Sequence, residues 1–359
     1  PEMRDYLFMY ERFIPEVLSE YDPDTFYWPA SPSSGGSFDE PNDPNRGDVH
    51  YWEVWHGNKP FSEYRKYFFR YASEFGFQSF PSVKTLETVT DDPRELNPFS
   101  YVMEKHQRNY GGNGKIAKYM QAAYRYPENF SDFVYASQLL QADGIRYGVE
   151  HYRRNRGRCM GAIYWQLISW SSIDYYGRWK ALHYYAKRFF APVMLSCEEQ
   201  SWMTVEADMN RQHFEFEKSI RLNVTNETLD AHRVLVKWAV RKTDATILRE
   251  EEQWLEVPAL SAVWMDKVEL PQIDCFNEYV SYEAWENDQI ISQGTVIFSY
   301  PKYFHYLMLS LAVCVDGDEI VVKAEAYAKS VEIRNENDDL ILEDNYFDMN
   351  AGEYRVKIH

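Results

Sequence analysis

The chain has 359 residues and a formal net charge of −18 at pH 7, and 17% of its residues are aromatic. The length predicts two or three domains, because a single core seldom grows beyond about 250 residues. The acidic balance argues against nucleic-acid binding, which needs a basic surface, and no apolar run approaches the ~20 residues of a membrane span. The many rings suit carbohydrate binding, since a ring covers the apolar face of a sugar, although most are expected to fill cores.

The first predicted element is a helix over residues 1–22, because its apolar residues recur at helical spacing. A loop of roughly nineteen residues follows, from Pro29 to Gly47. Loops of this length are uncommon in compact domains and are usually functional. The apolar face of the predicted helix consists of Leu7, Tyr10, Ile14, Val17 and Leu18.

Two strands are predicted next, over residues 48–55 and 69–73, and the second directly precedes Glu74. Barrel enzymes present a carboxylate to a pocket from the C-terminal end of a strand, and a nearby glycine such as Gly76 lets the backbone turn. Glu74 is therefore our candidate catalytic nucleophile. The alternative is a strand-terminal glutamate held in an ion pair, since a residue type alone does not establish a function.

Helices are predicted over residues 96–108, 114–125 and 131–155, followed by a buried strand over 160–167 and a helix over 180–190. A glycine cluster at 111–114 superficially resembles a phosphate-binding loop. However, Ile116 stands where that motif requires Ser or Thr, so the cluster is interpreted as a turn between helices. Strands that alternate with helices in this way predict an α/β part with a parallel sheet.

The composition changes after Pro192, where short alternating strands and frequent turns are typical of an antiparallel sandwich. A second β segment runs from Pro301 to His359, which is 59 residues and short of the about 100 of a full immunoglobulin-like domain. This second segment is therefore predicted to be small or incomplete. The predicted strands are 213–216, 220–224, 234–238, 279–285 and 295–298, then 307–315, 320–326 and 331–334.

Four cysteines, Cys159, Cys197, Cys275 and Cys314, are widely spaced and form no C-x-x-C pair. This usage predicts reduced thiols, no metal site and a cytoplasmic protein. Residues 1–20 carry charges throughout and show no signal-peptide pattern. A secreted protein is therefore not expected.

Five segments carry distinctive motifs: 27–36 (YWPASPSSGG), 47–52 (GDVHYW), 73–79 (SEFGFQS), 161–167 (GAIYWQL) and 169–175 (SWSSIDY). With these motifs, the chain resembles the β-mannosidases of glycoside hydrolase family 2 almost from end to end. The resemblance implies the second half of a (β/α)8 TIM barrel over residues 1–192. It further implies an immunoglobulin-like β-sandwich over 193–300 and a second, apparently incomplete immunoglobulin-like domain over 301–359.

The resemblance also implies a set of site residues. Glu74 matches the nucleophile of the seventh barrel strand, and His50, Tyr51 and Trp52 match a substrate-binding cluster on the sixth strand. Trp165 matches the ring at the end of the eighth strand that borders the bound sugar. For His50, a structural, hydrogen-bonded role stays equally open, and no role is assigned to Trp55 or His56.

The implied activity is that of a retaining exo-β-mannosidase, which releases β-D-mannose from the non-reducing ends of β-mannosides. In such chemistry an ionised carboxylate attacks the anomeric carbon while a second carboxylic acid, roughly 5 Å away, protonates the leaving oxygen, and no cofactor is needed. Two alternatives remain: a β-galactosidase or β-glucuronidase of the same fold, and a carbohydrate-binding fragment without catalytic activity.

Two departures from the family pattern concern the site. The acid/base glutamate belongs to a Gly-Asn-Asn-Glu type motif that this chain does not contain, so it is expected upstream of Pro1. The family loop that follows the eighth strand is also absent after Leu167. Half a barrel would leave four strands with two open edges. We therefore expect missing N-terminal domains or a homo-oligomer, and poor folding of this stretch alone.

Overall fold

The computed structural model describes residues 1–166, 170–204 and 216–359. Residues 2–21 form one helical segment, as predicted, in which the π-helical turn Phe8–Phe13 joins the first two α-helices. No side chain of this segment is fully buried, although the ring of Tyr6 packs against Phe38 of the following loop. The α-helices are α1 (Glu2–Leu7), α2 (Ile14–Tyr21), α3 (Val83–Leu86), α4 (Tyr101–His106), α5 (Gly112–Ala123), α6 (Phe130–Arg154) and α7 (Ala181–Phe189).

A parallel sheet of three strands lies at the centre of the N-terminal part, in the order β1-β2-β3. Its strands are β1 (Val49–His50), β2 (Ala72–Gly76) and β3 (Ala162–Trp165). Parallel neighbours need long crossover connections, and α3 to α6 lie in the connection from β2 to β3. The predicted α/β organisation is thus observed, with three described strands where half a barrel would supply four.

The long helix α6 packs directly on β2. Gly148 faces Phe75 of that strand, and a Cβ at Gly148 would lie 2.8 Å from the ring of Phe75. The missing side chain therefore lets the helix approach the sheet closely. Asn129 caps the first turn of α6, because its side chain accepts a hydrogen bond from the backbone N–H of Asp132.

The following part is an antiparallel sandwich. One sheet contains β4 (Val193–Gln200), β5 (Ser219–Asn226), β8 (Ser261–Trp264) and β9 (Val268–Glu269). The other has the order β11-β10-β6-β7, with β6 (His232–Lys242), β7 (Ile247–Val257), β10 (Glu278–Glu286) and β11 (Gln289–Ile297). Alternate residues of β6 and β10 fill the core between the sheets, including Val234, Val236, Trp238 and Val280.

The last segment forms the three-stranded sheet β12-β13-β16 and the strand pair β14-β15. It shares a hydrophobic core with the helices of the N-terminal part, to which it contributes Ile320, Val322 and Phe347. The segment is thus packed against the α/β part as well as following the sandwich in sequence. Its strands are β12 (Ala312–Asp316), β13 (Glu319–Ala324), β14 (Ala328–Val331), β15 (Phe347–Met349) and β16 (Gly352–Lys357).

A buried ion pair joins the sandwich to the α/β part. Arg65 donates to the carboxylate and to the backbone carbonyl of Glu199 in β4, both at 2.8 Å. The Tyr147 hydroxyl of α6 donates to the same carboxylate. Burial opposes ionisation of Glu199, but the charge of Arg65 and these hydrogen bonds outweigh it and lower the pKa of the carboxyl.

Several predicted elements differ from the structure. The predicted strand 48–55 is only two residues long, because the chain turns at residues 53–56. The strand predicted over 69–73 lies at Ala72–Gly76, so Glu74 is inside the strand rather than after it. The prediction that 160–167 is buried is wrong for β3, whose Ile163 and Trp165 are 52% and 41% exposed. The predicted strand 213–216 falls mostly outside the described residues.

No helix of the described residues is long and apolar enough to cross a membrane, and those residues contain no cluster of three or more potential metal ligands. All four cysteines are free, and only Cys314 is exposed. Burial raises the pKa of the Cys159 thiol to about 11, so this thiol is protonated at neutral pH.

Candidate active site

The carboxylate of Glu74 contacts two side chains from the segment that begins with β1. Its Oε1 accepts a hydrogen bond of 3.0 Å from the indole Nε1 of Trp52. Its Oε2 lies 3.1 Å from Nδ1 of His50. The Glu74 side chain is 22% exposed, so solvent or a ligand can still reach it. Both carboxylate oxygens are thus oriented while the group remains accessible.

The strand register explains why these three side chains meet. His50 of β1 lies opposite Glu74 of β2, and the Glu74 carbonyl accepts a hydrogen bond of 2.7 Å from the Tyr51 backbone N–H. In extended backbone, residues two apart point to the same side, which places His50 and Trp52 together beside Glu74. The motifs around residues 50 and 74 therefore belong to one site.

Gly76 lets the rings of the site pack closely. A Cβ at this position would lie 2.5 Å from the backbone carbonyl of Trp165 and 3.0 Å from the indole of Trp52. The first of these atoms is part of strand β3 and cannot move aside without disturbing the sheet. Glycine is therefore required by space at this point, rather than by an unusual backbone angle.

Asp48, directly before β1, is a buried carboxylate with four hydrogen-bond donors. Its Oδ1 accepts from the Trp28 indole at 2.9 Å and from the Ser33 backbone N–H at 3.0 Å. Its Oδ2 accepts from the hydroxyls of Ser31 at 2.6 Å and Ser73 at 2.5 Å. Burial raises the pKa of Asp48, but these hydrogen bonds outweigh burial and the net pKa is lowered.

The loop 29–47 is tied to the same site. The Ser31 hydroxyl lies 3.0 Å from Nε2 of His50, and the Asn42 side chain accepts from the His50 backbone N–H at 2.9 Å. The predicted long loop is thus present, and it contacts the histidine that contacts Glu74. This is consistent with a functional loop.

A wall of aromatic rings lies beside Trp52. The ring of Trp170 makes edge contacts with Trp52 and Trp55, with centroids 5.2 and 5.1 Å apart. His56 packs on Trp52 at 5.2 Å. Partial burial and then the charge of Lys115 lower the pKa of His56, although the negative charge of Glu74 opposes this. The wall favours a neutral imidazole at this position.

Tyr51 differs from its predicted role. Its side chain is buried against Tyr64 and Phe69, and its hydroxyl donates to Glu63 at 3.0 Å. Burial and the charge of Glu63 raise the pKa of this phenol. Neighbouring strand residues face opposite sides, so Tyr51 packs into the core while His50 and Trp52 reach Glu74. The structure does not bring the Tyr51 side chain to the site.

The remaining predicted residues lie at or near the site. Trp165 ends β3 and pairs with Gly76 of β2, and its side chain is exposed to solvent. Its contact with a sugar stays a prediction, as do the roles of His50 and Trp52 toward a substrate. Leu167, where the shortened loop begins, lies outside the described residues.

Sequence reasoning missed Asp48, Ser31, Ser73 and Trp170. All four stand inside the quoted motifs, but no regular spacing in the sequence links Ser31 in a loop to Asp48 and Ser73 at two different strands. Their closeness is produced by the loop fold and can be read only from coordinates.

Comparisons with known proteins agree with the motifs. A sequence family described as "Mannosidase Ig/CBM-like domain" matches residues 218–303. Beta-mannosidase B of Aspergillus terreus is 27% identical over 369 residues, which cover 96% of this chain and 43% of the relative. Beta-mannosidase B of Thermothelomyces thermophilus is 28% identical over 381 residues, covering 96% and 44%.

A solved structure agrees as well. The beta-D-mannosidase from Dictyoglomus thermophilum matches 98% of this chain and 42% of its own, with a TM-score of 0.85 and 26% identity. The resemblance to β-mannosidases is thus confirmed, and the immunoglobulin-like interpretation of the antiparallel part is supported. The chain spans less than half the length of these relatives.

Proposed function

We propose that this chain carries the nucleophile of a retaining exo-β-mannosidase of glycoside hydrolase family 2, acting in the cytoplasm on the non-reducing ends of β-mannosides. We further propose that β1, β2 and β3 are the sixth, seventh and eighth strands of a (β/α)8 barrel. The observation that carries the proposal is Glu74, whose two oxygens are held by His50 and Trp52 in a chain similar to β-mannosidases over nearly its whole length.

The geometry suits nucleophilic attack. The Trp52 N–H orients the carboxylate but uses only part of its acceptor capacity, since each oxygen has two lone pairs. The remaining lone pairs can attack an anomeric carbon, while neighbouring rings such as Trp170 reduce the access of water. A second carboxylic acid must then protonate the leaving oxygen. We propose that a segment or partner not included in this chain supplies it.

Two alternatives lead to different results. A β-galactosidase or β-glucuronidase of the same fold would react with a different sugar configuration, and a carbohydrate-binding protein without catalytic activity would not react at all. The similarity to β-mannosidases over nearly the whole chain favours mannose over the other sugars.

The first experiment removes the need for the acid. A 2-deoxy-2-fluoro-β-mannoside with a dinitrophenolate leaving group needs no protonation when its glycosidic bond breaks. The Glu74 carboxylate would form a bond to the anomeric carbon as dinitrophenolate departs, and the fluorine slows hydrolysis of the ester. We expect intact-mass spectrometry to show one added fluorosugar, and peptide mapping to place it on Glu74.

The controls separate the alternatives. Glu74→Gln should abolish labelling, because a neutral amide is a poor nucleophile, whereas Glu53→Gln, an exposed glutamate next to Trp52, should label normally. Labelling only by the galacto- or glucurono-configured reagent would favour the other enzymes. No labelling by any of the three reagents, in a chain shown to be folded, would overturn the proposed activity.

A further inference from the structure

We propose that Gln141, a buried residue of α6, is a positioning residue of the candidate active site. Its side-chain amide joins the segment after β2 to the segment after β3. It thereby holds the ring of Trp170 against Trp52, whose indole orients Glu74. The consequence for catalysis rests on the proposed function, whereas the contacts belong to the free protein and do not.

The argument begins with the hydrogen bonds of Gln141. Its Nε2 donates to the backbone carbonyl of Phe77 at 2.7 Å and to that of Trp170 at 2.9 Å. Its Oε1 accepts a hydrogen bond of 2.6 Å from the Ser79 hydroxyl. Carbonyl oxygens can only accept, so the amide nitrogen must face the two carbonyls. The orientation of the amide is therefore determined by its partners.

Burial makes these hydrogen bonds costly to lose. Gln141 is 0% exposed, and a buried polar group left without a partner costs more than a hydrogen bond contributes in net stability. Packing of the helix alone would be served by an apolar residue, such as the buried neighbours Leu139 and Leu140. The amide at position 141 additionally fixes two backbone segments relative to each other.

Both of these segments belong to the candidate site. Phe77 directly follows β2, the strand that carries Glu74, and Trp170 follows β3 in the chain. Segments that follow parallel strands emerge at the same edge of the sheet, where α/β proteins bind their ligands. Gln141 is thus placed to set the distance between two segments of the site.

Two contact routes lead from these segments to the nucleophile. The ring of Trp170 packs edge-on against Trp52, with centroids 5.2 Å apart, and the Trp52 indole donates to Oε1 of Glu74 at 3.0 Å. The ring of Phe77 packs against Trp55 at 4.9 Å, and Trp55 packs against Trp170 at 5.1 Å. A shift of the Trp170 backbone would move the ring that supports Trp52, and with it the donor that orients the carboxylate.

The substitution Gln141→Met tests the positioning role. Methionine is unbranched and similar in length, but it removes all three hydrogen bonds. We expect the bond-forming step of Glu74 labelling by the fluorosugar to slow about tenfold or more, because a misplacement of about 1 Å can cost roughly a hundredfold. Labelling is followed at several reagent concentrations, which separates this step from binding of the reagent. An unchanged rate constant would overturn the proposal.

The matched control is Gln138→Met, at a second buried glutamine about one turn earlier on α6. The Gln138 amide donates to the Phe80 carbonyl at 3.3 Å and accepts from the Ala181 N–H at 3.2 Å. Its loss therefore removes a buried amide of the same kind but leaves the hydrogen bond to Trp170. Both variants should unfold at lower urea concentrations, but only Gln141→Met should slow labelling. Equal slowing in both would overturn the proposal.

A double variant tests the route through Trp170. Trp170→Phe leaves a smaller ring against Trp52, so labelling should slow in this variant as well. Effects of residues that act through one contact network do not add. The double variant with Gln141→Met should therefore react at about the rate of the slower single variant. Losses that multiply would show that Gln141 acts by another route and would contradict the proposal.

The position of Trp52 can also be followed without any reagent. In the ¹H–¹⁵N spectrum of the full chain, the Trp52 indole N–H is the signal that disappears in Trp52→Phe. We expect this signal to shift in Gln141→Met and to keep its wild-type position in Gln138→Met. A merely stabilising role would not produce this difference. A signal that does not shift in Gln141→Met would count against the positioning role and overturn it.

A milder variant keeps the test valid if Gln141→Met does not fold, which circular dichroism would show. Ser79→Ala removes only the donor to Oε1. Its control is Ser137→Ala, at a buried hydroxyl that accepts from the Phe80 N–H at 3.2 Å. We expect a smaller shift of the Trp52 signal with Ser79→Ala and none with Ser137→Ala. Equal spectra of these two variants would overturn the proposal.

The labelling and the spectra separate this proposal from the proposed function. If the wild type is not labelled, the proposed activity fails, while the indole spectra still decide whether Gln141 positions Trp52. If the wild type is labelled and Gln141→Met reacts like it, the activity stands and the positioning role is wrong.

Discussion

Gly76 occupies a point in β2 where no side chain fits. In Gly76→Ala the new methyl group would meet the Trp165 carbonyl at 2.5 Å and the Trp52 ring at 3.0 Å. Overpacking of this kind costs about 1–3 kcal/mol. We therefore expect a lower free energy of unfolding in urea and slower labelling of Glu74, because Trp52 must move.

Gly114 provides the matched control. It lies within α5, where a Cβ would meet nothing within 4 Å. Alanine at such a helical position stabilises by roughly 0.5–1 kcal/mol relative to glycine. Gly114→Ala should thus shift stability in the opposite direction. Equal stability of the two variants would contradict the packing argument at Gly76.

His151, inside α6, is expected to make stability depend on pH. Burial and then the charge of Arg154 lower the pKa of His151 to about 3, although its hydrogen bond to the Tyr67 carbonyl opposes this. An unfolded histidine titrates near pH 6.5. Between pH 6.5 and pH 3 His151 is therefore protonated in the unfolded chain but not in the folded chain. The free energy of unfolding accordingly decreases as the pH falls through this range.

The expected slope is at most about 1.4 kcal/mol per pH unit from this one residue. His151→Gln keeps a donor for Tyr67 but does not titrate, so urea unfolding between pH 6 and pH 4 should show a shallower decline. His106→Gln, at an exposed histidine, should keep the wild-type slope. If His151→Gln also keeps it, His151 is not the source.

For single residues, the sequence predicts the positions that a motif and the two-residue alternation of a strand can locate. His50 and Trp52 are two residues apart beside a strand, and Glu74 lies in the next one, so motif and alternation together locate them. Tyr51 was assigned to the site by the same motif, although alternation turns it inward. Asp48 and Ser31 could not be located, because their contact depends on the path of a loop.

At the scale of elements, the contact between β4 and the α/β part depends on a buried charge. Glu199→Gln would leave the guanidinium of Arg65 buried without its ionic partner, and breaking a buried pair in this way costs about 3–5 kcal/mol. We expect this loss in urea unfolding at neutral pH. Glu198→Gln, at the partly exposed neighbour, is the control and should cost far less; similar losses would contradict the importance of the pair.

The elements themselves were predicted unevenly. Long amphipathic segments such as α6 were located within a residue or two, because their period extends over several turns. The apolar run at 160–167 predicted a buried strand, but burial depends on what lies on either side, which the run itself does not contain. The strands without a predicted counterpart are β4, β7, β8, β9, β15 and β16. Among them, β7 is largely charged and exposed, so its sequence shows little apolar alternation.

On the scale of the whole molecule, the two edge strands of the parallel sheet differ in whether another segment of the chain covers them. At β1, Asp48 forms an antiparallel bridge with Ser33, and Asn42 accepts from the His50 N–H, so the loop covers this edge. At the other edge, β3 pairs only with β2 within the part of the chain that the structure describes. The open edge of the sheet is therefore at β3.

Open strand edges with exposed apolar side chains promote association. Ile163 of β3 is 52% exposed, so we expect the purified chain to self-associate with increasing concentration in sedimentation velocity experiments. Ile163→Lys should weaken this association, because a charge on an edge strand opposes pairing. Leu229→Lys is the control, as Leu229 is 81% exposed in a turn of the sandwich. If the wild type stays monomeric and melts cooperatively, or if both lysines act alike, the β3 edge does not drive assembly, and the expectation that this chain needs a partner at that edge is wrong.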